Sequence, residues 1–172
     1  MSNTLYPVAP CFEKAERLVS LLAARGLHIA FAESCTGGLL AAGLVAVPSA
    51  SAVLDASYVT YANEAKTALC GVDPETLAAH GAVSEQVAAE MAAGAAHAAG
   101  AEVGASTSGI AGPTGGTPEK PVGTVCFGFS LGGCVRTETR HFGDLGRNAV
   151  RAAAVEFVYD TLISMLEAQG EA

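Results

Sequence analysis

The chain has 172 residues, the length of one domain at about 150 residues per domain, and enough to bury a core without staples. Apolar residues make up 51%, yet 35 are alanine and there are only six Phe, four Tyr and no Trp, so a finely packed helical exterior over a small core is expected; with 15% charged residues, disorder is excluded. Nine Lys and Arg against 17 Asp and Glu leave a net charge of −8, which argues against a general nucleic-acid binder or a polybasic membrane patch.

Phe12, Ala15, Leu18, Val19 and Leu22 recur at helical spacing, and Gly26 stops that helix. Residues 1–10 read as a loose arm before it. Residues 28–32 read as a short buried strand, followed by a Ser-Cys-Thr-Gly-Gly turn and a helix over 38–47. Residues 57–61 are rich in β-formers and read as a second strand. Asn63 is placed to cap a helix over 64–69, Asp73-Pro74 opens a short helix closing near Gly81, and Ser84 caps a long alanine-rich helix to about Ala99. Residues 103–110 read as a strand running into a loop over 109–122 that carries Gly109, Gly112, Gly115 and Gly116 with three prolines. Strands over 123–130 and 134–142 meet at Gly132-Gly133, a hairpin signal. The last helix carries Val150, Ala154, Phe157, Thr161 and Met165 on one stripe. This order predicts an α/β fold: a three-layer α/β/α sandwich on a mixed, mostly parallel sheet of about five strands, in one domain.

No apolar h-region follows an early basic residue, the first being Lys14, so no secretion signal is expected. The apolar run 39–47 ends at Pro48 and is too short to cross a bilayer. Five cysteines at 11, 35, 70, 126 and 134 form no Cys-x-x-Cys pair, and read as reduced, mostly buried thiols in the cytoplasm rather than a disulfide framework or zinc site.

Three polar or Gly-rich turns each follow a strand: 34–38, 61–66 and 107–116. If those strands are parallel, the turns converge on one sheet edge, where ligands gather in open α/β sheets. Lys66 in the first turn of a helix opposes the helix dipole, which disfavours a cation there by roughly 0.3–1 kcal/mol. It is either a surface lysine carrying a small penalty or an amine meant to lose its proton through burial and the helix terminus. Ser34 is either a helix cap, a job Thr36 can also do, or a nucleophile in need of a base. The four histidines, at 28, 80, 97 and 141, show no metal-ligand spacing and read as structural or solvated. That leaves a Ser-Lys arrangement as the candidate chemistry. The 109–117 loop could cradle a phosphate, although it is no P-loop and there is no Gly-x-Ser-x-Gly elbow. Arg147 and Arg151, at i and i+4, form either a solvated basic edge or an anion-holding pair.

Five ordered segments together resemble the CinA C-terminal domain family, the nicotinamide mononucleotide amidohydrolases. They are Ala32-Glu33-Ser34-Cys35-Thr36-Gly37-Gly38, Tyr61-Ala62-Asn63-Glu64-Ala65-Lys66, His80-Gly81-Ala82-Val83-Ser84, Ser108-Gly109-Ile110-Ala111-Gly112-Pro113, and the run from Gly115-Gly116-Thr117 through Lys120-Pro121 to Val125. The similarity runs from the first helix to the last. Departures are Ala62, where a serine is common, Cys126 in place of an aromatic, and Leu145-Gly146 ahead of Arg147.

The resemblance implies a hydrolase that converts nicotinamide mononucleotide into nicotinate mononucleotide and ammonia in pyridine nucleotide salvage, with no metal and no cofactor. It implies Ser34 as nucleophile, Lys66 as base and Tyr61 as the residue that orients them. Thr36, Gly37, Gly38, Ser108, Gly109, Gly112, Arg147 and Arg151 are then expected around the substrate, with N–H groups at Gly37 and Gly38 on the oxyanion. The implied partners are a small nucleotide substrate and further copies of the chain, as a homodimer or larger homo-oligomer, without nucleic acid or membrane. Three alternatives stay open: a nucleotide-binding module without chemistry, an amidohydrolase for another small carboxamide, and a DNA-processing partner, which the charge of −8 fits poorly.

Overall fold

A computed structural model describes residues 11–168. The arm expected over 1–10 lies outside those residues. Along the chain come α1 (Phe12–Arg25), β1 (Ile29–Glu33), α2 (Leu39–Val45), a 3-10 turn (Ala50–Ala52), β2 (Leu54–Val59), α3 (Asn63–Cys70), α4 (Pro74–His80), α5 (Glu85–Ala99), β3 (Val103–Gly109), β4 (Thr124–Leu131), β5 (Cys134–His141) and α6 (Arg147–Ala168).

The five strands form one sheet in the order β2-β1-β3-β4-β5. β1 pairs in parallel with β2 and β3, and β3-β4-β5 is an antiparallel meander, so only β4 runs against the other four. The sheet is mixed, as the sequence predicts. α1, α2 and α6 cover one face around Phe31, Phe127, Phe129 and Tyr159. α3, α4 and α5 cover the other around a smaller cluster that includes Ala30, Ala32, Val87 and Met91. The central strands β1, β3 and β4 are buried on both faces, hence their continuous small and apolar runs.

Most element starts follow their predicted signals. The Asp73 carboxylate accepts from Glu75 N–H at 2.8 Å, and the Ser84 hydroxyl accepts from Val87 N–H at 3.3 Å. Gly132 and Gly133 have φ of 58° and 82°, the left-handed pair that a tight hairpin turn needs.

Three expectations shift. β2 spans Leu54–Val59 instead of 57–61, because its pairing with β1 begins across an irregularity at Ile29/Ala30 that accommodates the charged Asp55. Asn63 is the first residue of α3 rather than its cap; Ala62 holds the cap position without a side-chain bond. The buried stripe of α6 is Val150, Ala154, Val155, Val158, Tyr159, Leu162 and Leu166. Phe157 and Met165 lie on its flank, with Phe157 stacked obliquely on Phe127 at 4.6 Å beneath Arg140, because α6 faces α1 and α2 as well as the sheet.

Candidate active site

The parallel pairing puts the C-terminal ends of β1, β2 and β3 on one edge, so the three turns converge there. Ser34 continues β1 by one residue: its N–H donates to Thr107 O at 2.9 Å, while Thr60 N–H donates to Glu33 O at 2.9 Å. Lys66, in the second turn of α3, is 1% exposed. Its Nζ donates to Thr60 O at 2.8 Å and lies 3.3 Å from Ser34 Oγ. Burial lowers the Lys66 pKa from the ordinary 10.5, against smaller upward pulls from Cys35, Cys70 and Glu64. A buried amine within reach of a serine hydroxyl, with a depressed pKa, is the geometry of a nucleophile and its base.

The turn that carries Ser34 is held from two sides. The Glu33 carboxylate is fully buried and accepts five hydrogen bonds: from Thr36 Oγ1 at 2.7 Å, Ser57 Oγ at 2.9 Å, and the N–H groups of Gly38, Leu40 and Ala41 at 2.9, 3.0 and 3.1 Å. A carboxylate is suited to this place, since the first N–H groups of α2 have no partner within the helix. From the other side Arg151 donates through Nε to Cys35 O at 3.1 Å and through Nη2 to Thr36 O at 2.8 Å. Gly37 and Gly38, with φ of 58° and 94°, supply the left-handed backbone that lets the chain reverse between these anchors.

A cleft of about 200 Å³ opens over the pair. Ser34, Lys66, Tyr61, Ser108, Gly109 and Arg147 all line it, so six of the expected residues come together. The Tyr61 hydroxyl is not bonded to Ser34 or Lys66; it accepts from Arg147 Nη2 at 2.9 Å, while Arg147 Nη1 donates to Gly112 O at 2.9 Å. Arg147 therefore ties the turn after β2 to the Gly-rich loop. The Ser108 hydroxyl donates to Ala82 O at 2.6 Å, joining the end of β3 to the segment before α5.

Five expected residues stand back from the cleft wall. Thr36 is fully buried, its hydroxyl shared between Glu33 and Thr107. Arg151 holds the backbone of the Ser34 turn. Gly112 supplies a carbonyl to Arg147. Gly37 and Gly38 shape the turn, and the Gly38 N–H, expected on an oxyanion, is taken by Glu33. Sequence reasoning missed Glu33, Thr60 and Asn63, the last of which lines the cleft. Glu33 had one visible signal: a carboxylate closing an otherwise apolar strand. Among the described residues no group of three or more His, Cys, Asp or Glu side chains is placed to hold a metal ion, and no helix is long and apolar enough to cross a membrane.

The family model of the CinA C-terminal domain matches residues 12–166. Nicotinamide-nucleotide amidohydrolase PncC of Enterobacter agglomerans is 50% identical over 153 residues, covering 88% of this chain and 92% of that protein. A CinA-like protein of Chlorobaculum tepidum is 54% identical over 142 residues, covering 79% of this chain but 34% of that protein, so the chain spans about a third of such longer relatives. Among solved structures, competence/damage inducible protein CihA from Agrobacterium tumefaciens superposes with a TM-score of 0.87 at 42% identity, covering 91% of this chain and 94% of that one. The CinA superfamily protein from Enterobacter cloacae gives 0.86 at 38% identity, covering 96% and 98%.

Proposed function

Because the chain belongs to the CinA C-terminal domain family, we propose that it is a nicotinamide mononucleotide amidohydrolase working through Ser34 and Lys66. The observation that carries this is the buried Lys66 amine, 3.3 Å from Ser34 Oγ, with a hydroxyl and a carbonyl as its hydrogen-bond partners. Neutral Lys66 takes the Ser34 proton as Oγ attacks the carboxamide carbon. The resulting ammonium returns that proton to the departing nitrogen, which leaves as ammonia, and an acyl ester remains on Ser34. Lys66, neutral again, deprotonates a water that hydrolyses the ester to nicotinate mononucleotide. Since the Gly38 N–H is held by Glu33, the Gly37 N–H is the one left of the expected pair to serve the developing oxyanion, while Tyr61, whose phenol accepts from Arg147, borders the reacting end. In this reading the enzyme is cytoplasmic, takes a small nucleotide rather than nucleic acid, and assembles as a homodimer or larger homo-oligomer.

The test is ammonia release from nicotinamide mononucleotide. Ser34→Ala is expected to lower it by at least about a thousandfold. The acid limb of the kcat/KM profile is expected below the ordinary lysine range, because activity needs Lys66 neutral and burial lowers its pKa. A well-folded wild-type protein that binds the mononucleotide but releases no ammonia would replace this reading with a binding module.

A further inference from the structure

Two of the five sequence segments take no part in the Ser34–Lys66 chemistry: 80–84 and the stretch around Lys120. The structure brings them together at a second hollow. It encloses about 380 Å³ and lies directly beside the Ser34 cleft, with Val83 lining both. The Ser34 cleft alone, at about 200 Å³, is smaller than the roughly 300–1,000 Å³ of sites that enclose small organic ligands. It has room for the reacting end of a mononucleotide and leaves the rest to be housed next door.

The lining of the second hollow has the chemistry for that remainder. Lys120 is set by a tight turn in which Thr117 N–H donates to Lys120 O at 2.9 Å and Lys120 N–H donates to Thr117 Oγ1 at 3.1 Å. Its Nζ donates to His80 O at 2.8 Å, which leaves two further N–H donors. Among the described residues no carboxylate pairs with it. His80 and His141 line the same hollow, as do Glu85 and Glu119. Glu85 is turned onto β5, accepting from the Thr137 and Thr139 hydroxyls at 3.0 and 2.7 Å. An ammonium without a counter-ion beside acceptor carboxylates suits a sugar phosphate, whose hydroxyls seek acceptors and whose phosphate seeks cationic donors. A bare anion or an apolar group satisfies only half of this lining.

We propose that this hollow is the ribose-phosphate subsite, with Lys120 as its phosphate-binding residue; the assignment rests on the amidohydrolase reading above. Arg147, bonded to Tyr61 and Gly112, then serves the reacting end.

The test compares nicotinamide mononucleotide with nicotinamide riboside, which lacks the phosphate, and measures ribose 5-phosphate binding by calorimetry. Lys120→Met is expected to reduce the preference for the mononucleotide, as a ratio of kcat/KM values, about tenfold, and to weaken ribose 5-phosphate binding to a similar degree. Lys120→Arg should restore most of both. An unchanged ratio, or equal losses on both substrates, overturns the subsite, equal losses being what a purely structural lysine would give. If neither substrate releases ammonia, the amidohydrolase reading fails separately. Calorimetry then decides alone: Lys120-dependent binding of ribose 5-phosphate supports the subsite, and its absence overturns it.

Discussion

Lys66 is buried at a cost that the fold tolerates. In the folded chain burial lowers its pKa, whereas in the unfolded chain it titrates near the ordinary 10.5. Below the folded value both states carry the charge, and the folded state bears its full desolvation penalty. Between the two values only the unfolded chain still binds the proton, so stability rises with pH. Lys66→Met should therefore abolish turnover yet raise stability by about 1 kcal/mol at neutral pH, the gain shrinking as pH climbs toward 10.5; thermal melts of both proteins across pH check this. The dyad was legible because a serine before Gly-Gly and a lysine against the helix dipole both stand out locally. Thr36, locally a possible helix cap and by the resemblance a substrate contact, instead bonds Glu33 and Thr107, partners that close β1 and lie in β3. Glu33 acts on atoms up to 24 residues away, at Ser57, and no spacing rule reports that.

At the scale of elements, α5 packs its side chains into a core cluster but also closes directly on backbone at three glycines. A β-carbon at Gly104 or Gly128 would overlap the carbonyl oxygens of Ala92 or Ala88, and one at Gly94 would overlap the carbonyl of Cys70 at the end of α3. The Ser106 hydroxyl fixes the same seat, donating to Ala88 O at 2.6 Å. Since α3 carries Lys66, its approach to α5 at Gly94 sets where the amine stands. Gly94→Ala should cost about 2 kcal/mol, read from the melting temperature, and should also lower ammonia release, because α3 must move to admit the methyl group. The alanine-rich stretch announced a helix but not this intimacy, which depends on glycines distant in sequence. The expected bounds of β2 differ for a related reason: its irregular pairing hides Asp55 from a strict alternation pattern, so the sequence shows only the β-former-rich stretch 57–61. The α6 stripe was displaced because one helix faces two kinds of neighbour.

For the whole molecule, protection is graded across the sheet. β1, β3 and β4 are buried along nearly their full length, while β2 and β5 form its edges and are half-exposed or exposed. Native-state hydrogen exchange should find amides of the three inner strands exchanging at least about a hundredfold more slowly than those on the outer sides of β2 and β5. The residues lining the cleft divide along this gradient. Ser34 continues β1 and Ser108 lies within β3, whereas Tyr61, 64% exposed, follows the outer β2 and is braced by Arg147. The layer order and the convergence of the turns were readable from strands alternating with helices, because parallel strands leave their loops no other edge. The second hollow was not, since it forms only when residues near 80, 120, 139 and 141 meet.

The two partners of the Lys66 amine, a hydroxyl and a carbonyl, would leave a positive charge on it uncompensated unless negative charge stood at Ser34. A tetrahedral anion trapped there, such as a boronate adduct, would stabilise the protonated amine in a way the resting site does not. Closing such an adduct moves the Ser34 proton onto a neutral Lys66, so no proton crosses to solution; where the amine already carries its own proton, the Ser34 proton must leave for the buffer. The heat of inhibitor binding is then independent of the buffer's ionisation enthalpy while Lys66 rests neutral and gains a dependence as pH falls through the lowered Lys66 pKa, so that the site behaves as an electrometer for its own resting charge.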